Sequence, residues 1–309
     1  YISRFDELNE KSGNDEGYKW RAESWFKKYW DIDASDFAEM FINSMQETSN
    51  LIDNATVQPI GGIRLLLKQE KEVEFVRQSF RNLFCEDGGD LDKRQKRIDE
   101  FIDTINARIE KYVSGSWKYP QSRNSVIYYL NLWKPEENYI FKSTEATAWA
   151  NCIEYGDDFG SGKIFSLKKY YKMCDELLEE IKDNQELLKL HSKRMEKEVE
   201  GYDDKLHILV YDIIYCAHTY GFYRNMSISN TSTKERIKKA ANRQKIEELN
   251  EVISNAEESL KQVQEEIEPL PNLTGEPVQH KKYGKGNVLE CESGRMKIVF
   301  SEKVVTFQY

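Results

Sequence analysis

Residues 246–267 read IEELNEVISNAEESLKQVQEEI, and their apolar positions recur at alternating intervals of three and four. Ile246, Leu249, Ile253, Ala256, Leu260, Val263 and Ile267 are the a and d positions of three heptads, the pattern that keeps one face of an α-helix apolar. Pro269 and Pro271 follow and stop the helix, since proline has no amide hydrogen to donate and its ring clashes with the preceding turn. The charges are sorted by half. Lys234, Arg236, Lys238, Lys239, Arg243 and Lys245 come first, then Glu247, Glu248, Glu251, Glu257, Glu258, Glu265, Glu266 and Glu268. A helix of this length would span about 50 Å. It packs on the rest of the chain as a charged, solvated helix, projects as an arm, or pairs with a second helix, in which case 246–267 holds a homodimer together.

Upstream, residues 18–226 are dense in aromatics and carry helical periodicity nearly throughout. Trp20, Trp25, Phe26 and Trp30 recur at helical spacings, as do Phe37, Met40, Phe41 and Met45. Between them Asp33 or Ser35 suits a helix N-cap. Further helices are expected over 71–85, 90–113, 165–198 and 203–223. Val126 to Trp133 reads as one buried helix, followed after Lys134-Pro135 by a short strand Tyr139-Ile140-Phe141. Breaks are expected at Pro59 with Gly61 and Gly62, at Gly88-Gly89, Gly115 and Pro120, and from Gly156 to Gly162.

Downstream the period changes. Asn287–Cys291, Met296–Phe300 and Val304–Phe307 alternate or run apolar, with turns at Ser293-Gly294 and Ser301-Glu302. Three or four short strands in so few residues suggest a small barrel. The organisation is therefore mainly α: a helical domain over 1–230, a long heptad helix over 231–268, and a small β-barrel over 269–309.

The 309 residues carry 45 basic and 54 acidic side chains, a net charge of −9. Residues 269–309 have six basic and four acidic groups and 231–268 have seven and nine, so 1–230 holds a charge equal to the whole. This excludes a general polycation, and nucleic-acid binding would need a confined patch. Mean hydropathy is −0.74 and no apolar run reaches membrane-spanning length, while 39% hydrophobic and 12% aromatic residues are too many core formers for a disordered chain. Cys85, Cys152, Cys174, Cys216 and Cys291 are odd in number and scattered, which points to a reducing, cytoplasmic setting. The sequence opens on Tyr1 rather than Met, so further residues are expected upstream.

No catalytic pattern is complete in the sequence. Gly160-Ser161-Gly162-Lys163-Ile164 fails the phosphate-loop pattern, having Asp157 where the first glycine belongs and Ile164 where Ser or Thr belongs. Glu154, Asp157 and Asp158 lack calcium-loop spacing. Asp203-Asp204-Lys205 has a nuclease-like form but no acidic partner upstream, and a helix N-cap explains it equally. Cys216 and His218 lie in an apolar helix and read as core. The sequence thus points to a protein that is not an enzyme and needs neither metal nor cofactor.

Two resemblances organise these observations. Tyr18-Lys19-Trp20, Trp30-Asp31-Ile32-Asp33-Ala34-Ser35-Asp36-Phe37, Asn50-Leu51-Ile52, Val76-Arg77-Gln78-Ser79-Phe80-Arg81-Asn82-Leu83-Phe84, Trp117-Lys118, Asn124-Ser125-Val126-Ile127-Tyr128-Tyr129-Leu130 and Pro135 to Lys142 form an ordered series. It resembles the N-terminal region of long McrB-like AAA+ restriction proteins. That family's region implies recognition ahead of a nucleotide-driven motor; no motor follows here, so only recognition is implied. Val278 to Val288, HKKYGKGN at its centre, with Ile298-Val299-Phe300, is similar to the Tudor/SH3-like module ending UvrD/PcrA-type helicases, which implies docking on polymerase or helicase machinery.

The expectation is a non-catalytic component of a bacterial restriction or anti-phage system that recognises DNA or a DNA-bound complex. Candidate nucleic-acid contacts are Trp117, Lys118, Arg123, Asn124, Trp133, Lys134, Tyr139 and Lys142, where aromatics interleave with cations as base stacking and phosphate contact require. Candidate partner contacts in the tail are His280, Lys281, Lys282, Tyr283 and Lys285. The alternative is a protein–protein adaptor without nucleic-acid contact, assembled through the heptad helix and the tail. It accommodates the −9 more easily.

Overall fold

The computed structural model describes residues 1–9, 13–53, 57–113, 119–197, 203–224, 232–266 and 271–308. The helices of eight or more residues are α1 (Tyr18–Tyr29), α2 (Phe37–Ser44), α3 (Pro59–Leu67), α4 (Glu70–Leu83), α5 (Leu91–Ile109), α6 (Arg123–Trp133), α7 (Ser143–Cys152), α8 (Leu167–Asp183), α9 (Gln185–Lys197), α10 (His207–Thr219) and α11 (Thr233–Glu266). Four strands follow: β1 (Pro277–His280), β2 (Gly284–Glu292), β3 (Arg295–Phe300) and β4 (Val304–Gln308). The chain divides into two compact units, Tyr1–Asn242 and Arg243–Tyr309.

The starts of the helices follow from their caps. Asp36 accepts from the Glu39 amide and Asp90 from those of Asp92 and Lys93, supplying acceptors for amides that have no partner within the helix. Ser122 and Ser125 form a reciprocal capping box at α6. The periodic stretch 165–198 is broken into α8 and α9 at Asn184, whose side chain accepts from the Leu187 amide and so caps the second helix.

Aromatic rings fill the interior of the first unit. Phe80 lies 5.3 Å from Trp30, 5.1 Å from Phe101 and 5.4 Å from Tyr129, centroid to centroid. Phe84 stacks on Trp133 with planes only 7° apart. These contacts join α1, α4, α5 and α6 with edge-to-face and offset geometries that add to the hydrophobic term. Tyr139-Ile140-Phe141, expected as a strand, is buried irregular chain outside any sheet. Its surroundings are helical, and the Tyr170 hydroxyl donates to the Ile140 carbonyl at 2.6 Å in place of a neighbouring strand.

The first turn of α11 docks on this unit. Arg236, 1% exposed, donates to the carbonyl oxygens of Tyr155 and Asp157 and to Asn151 Oδ1. Among the described residues, 241–263 are exposed without exception.

In the second unit the strands form an antiparallel meander in the order β1-β2-β3-β4. The expected barrel is not closed. With only four short strands, β1 and β4 stay as edges, too few to curl the sheet through a full turn. A register shift between Val288 and Glu290 bends β2. Ser293 and Gly294 both take positive φ, as a two-residue hairpin turn matched to strand twist requires. Val288, Ile298 and Phe300 make the small core. A Cβ on Gly286 would sit 2.6 Å from the Val299 carbonyl oxygen and from the Phe300 ring, so only glycine allows β2 to lie this close to β3.

Candidate functional site

Among the described residues, the nucleic-acid candidates fall into two sets. Arg123 and Asn124 open α6, and Asn124 Oδ1 accepts from the Ser143 amide at 3.2 Å, next to Lys142. Trp133 and Lys134 lie at the other end of α6, with Tyr139 in the segment that follows. The eleven residues of α6 separate the two sets by about 15 Å. Trp117 and Lys118 lie outside the described residues.

Arg123 and Lys134, one in each set, are met by carboxylates. Arg123 reaches Asp99 at 2.5 Å and the Gly162 carbonyl at 2.6 Å. Lys134 reaches Glu86 at 2.5 Å and Glu137 at 3.0 Å, and these contacts raise its pKa, the Glu86 hydrogen bond most. Burial lowers the pKa of Lys142. Trp133 stacks on Phe84, and Tyr139, 2% exposed, donates to Asp175 at 2.7 Å.

A cavity of about 370 Å³ to 440 Å³ occurs at two other places, but the one beside these residues, of about 350 Å³, is acidic in character. Glu86, Glu137, Asp175, Arg94, Tyr139 and His207 line it. Arg94 is engaged by Asp87 at 2.7 Å, Glu137 at 3.2 Å and Asn138 at 2.9 Å. Its hydrogen bond and that of Arg97 hold the Asp87 carboxyl far below the usual range. Burial lowers His207 to about 4, so its ring is neutral near pH 7 as it rests on Tyr139 with centroids 4.0 Å apart.

The five tail candidates are brought together on the β1–β2 hairpin. His280 stacks on Tyr283, centroids 4.8 Å apart, and its Nδ1 accepts from the Lys282 and Tyr283 amides. Lys281, Lys282 and Lys285 are exposed. Folding adds Lys303, whose ammonium sits 4.3 Å from the Tyr283 ring centre, and Phe307, 5.1 Å from His280. Their position on β4 and its leading turn gave no sign in the sequence of this proximity.

On α11, Ile246, Leu249, Ile253, Leu260 and Val263 are between 53% and 62% exposed, and Val252, not among the heptad positions, is 64% exposed. Ala256 is exposed too. Ile267 lies outside the described residues.

A buried ionic cluster was missed. Lys19 contacts Glu16, and also Asp212 at 2.7 Å; Arg194 reaches Asp212 at 3.1 Å, and the Tyr1 hydroxyl donates to the same carboxylate. Burial alone would raise the Asp212 carboxyl, but Lys19 and Arg194 outweigh it and hold it below the ordinary aspartate range. Beside it, Asp203 caps α10 through the amides of Ile208 and Leu209 and accepts from Trp20 Nε1 at 3.0 Å. An aspartate in the middle of the apolar run Ile208 to Tyr215 was the available signal. Glu16, Asp212 and Cys216 lie close enough to share a cation. The donor set does not suit a metal: the Lys19 ammonium already bridges both carboxylates, and burial pushes the Cys216 thiol far up, away from the thiolate a metal needs.

Compared with family models, curated proteins and solved structures, the chain finds no match in any of the three. All five cysteines are free, and among the described residues no helix is long and apolar enough to cross a membrane.

Proposed function

We propose that this chain is a non-catalytic assembly component of a bacterial restriction or anti-phage type system, acting as a protein–protein adaptor. The observation that carries the reading is the exposure of 241–263: a helix whose continuous apolar seam is exposed is stabilised by a partner, since propensity alone leaves such a helix marginal. On this reading α11 beyond residue 243 is a coiled-coil segment. The body corresponds to the McrB-like recognition region it resembles. The C-terminal sheet, as an SH3/Tudor-like module, presents His280, Lys281, Lys282, Tyr283 and Lys285 to a helicase- or polymerase-type protein.

Direct DNA recognition is the second reading. It is favoured by the exposed Lys281, Lys282 and Lys285 on a tail that is net basic, with Trp117, Lys118, Arg123, Asn124, Trp133, Lys134, Tyr139 and Lys142 as the contacts in the body. Carboxylate pairing of Arg123 and Lys134 weighs for the adaptor.

The test immobilises the whole chain and measures binding of proteins encoded beside its own gene, with a gel-shift series on single-stranded, duplex and modified DNA at low salt. The adaptor reading expects protein binding that Tyr283→Ala or Leu249→Asp with Leu260→Asp removes, and no DNA shift. A salt-dependent DNA shift lost in Lys118→Glu with Lys142→Glu replaces it with the second reading. Binding to neither overturns both.

A further inference from the structure

The face of α11 that carries Ile246, Leu249, Ile253, Leu260 and Val263 is apolar and exposed over about five turns. We propose that it is covered by the same face of a second copy of this chain, with the two helices antiparallel. The inference rests on the adaptor reading and adds to it the partner and its direction.

The spacing favours a helical occupant. Intervals of three and four average 3.5 residues, which keeps a seam facing another supercoiled helix; a groove in a globular partner imposes no such period. The layers also close on themselves. In an antiparallel pair an a residue faces a d residue, so setting Ile246 opposite the partner's Val263 places Leu249 opposite the partner's Leu260 and Ile253 opposite the partner's Ala256. The same pairs then repeat in reverse beyond the centre. Every seam position from 246 to 263 gains an apolar neighbour, and the small Ala256 is set against the branched Ile253.

Charge decides the direction. Residues at g face each other across an antiparallel seam, and this register sets Lys245 opposite the partner's Glu266 at both ends. Residues at e oppose one another likewise, Arg243 against the partner's Gln264 and Asn250 against the partner's Glu257, with no like charges facing. In a parallel pair g faces the e residue of the next heptad. Lys245 then meets Asn250, Val252 meets Glu257 and Ser259 meets Gln264, giving no opposite-charge pair. Of the basic half only Arg243 and Lys245 overlap the partner helix in this register, beside its Gln264 and Glu266, and the antiparallel alignment opposes the two helix dipoles.

The experiment is sedimentation equilibrium and light scattering of the full chain between about 1 and about 100 µM. The expected mass is twice 36.4 kDa, falling to the single-chain value in Leu249→Asp with Leu260→Asp. Lys245→Glu and Glu266→Lys should each weaken the dimer on the order of tenfold, and the chain carrying both changes should return to the original affinity. All four positions lie on α11 beyond its docked first turn, so an unchanged near-ultraviolet circular dichroism spectrum confirms that the body stays folded in each variant. A monomer at every concentration overturns the proposal, as does a dimer that survives the double aspartate change. Charge changes without effect, or without mutual rescue, overturn the antiparallel direction. A monomer that still binds the partner proteins defeats this inference alone; a dimer that binds none defeats the adaptor reading alone.

Discussion

The Lys19 ammonium lies 2.7 Å from the Asp212 carboxylate inside the body, although 193 positions separate the two residues. This pair joins α1 to α10, and Arg194 on α9 closes on the same carboxylate. Such a group of charges is tolerated only because each one has partners, since an unpaired ion in the interior is far more costly than an apolar side chain of the same shape.

Asp212→Asn is therefore expected to destabilise the body by about 3–5 kcal/mol, because it strands Lys19 and Arg194 without their shared anion. Lys19→Met in the Asp212→Leu background should recover part of the loss. Urea unfolding followed by tryptophan fluorescence checks this; a double variant no more stable than Asp212→Asn would show that packing, not charge, holds the cluster.

Asp203 and His191 make opposite contributions to the pH dependence of stability. Burial raises Asp203 to about 6, above the unfolded value, so the native state holds the proton longer and this group's contribution is lost as pH rises from about 4 to about 6. Burial, with Arg194 nearby, lowers His191 to about 3, so its contribution is present above about 6.5 and is lost as pH falls from there toward about 3. Asp203→Asn should consequently be penalised less, relative to the natural chain, at pH 7 than at pH 4.5. His191→Gln should show the reverse trend. Urea midpoints at the two pH values give the comparison.

Phe80 touches the rings of Trp30, Phe84, Phe101 and Tyr129, and Phe80→Ala should cost about 3–5 kcal/mol. Lys134→Ala removes a charge that is 22% exposed and paired with two glutamates, and an effect within about 1 kcal/mol is expected. Thermal unfolding of both variants measures the contrast.

Gly286→Ala places a methyl against the Val299 carbonyl and the Phe300 ring and should destabilise the sheet by about 1–3 kcal/mol. Amide hydrogen exchange should report faster opening of β2 and β3, with α4 and α5 unchanged. Faster exchange in the helices as well would mean that the two units unfold together.

Much of the local structure was legible in the residues. The spacing of Phe37, Met40, Phe41 and Met45 anticipated α2, and Ser293-Gly294 marked the β2–β3 turn. Asn184 breaks α8 from α9 without a sign in the spacing, because the apolar period continues across it. Tyr139-Ile140-Phe141 read as a strand because an isolated apolar run looks the same whether a strand or a helix layer covers it.

The candidate site was legible only in kind. Aromatics and cations alternate through 123–142, yet their partners come from elsewhere in the chain: Asp99 for Arg123, Glu86 for Lys134, Asp175 for Tyr139. The sequence by itself determined the helical content of the body, the apolar seam of α11 and the strands of the tail, because each is written in residue spacing along one element. Only the tertiary structure decided which charges are neutralised, that Lys19 lies against Asp212, and that the side chains of 241–263 are exposed. Those outcomes depend on how separate elements pack, and spacing within one element carries no record of its neighbours.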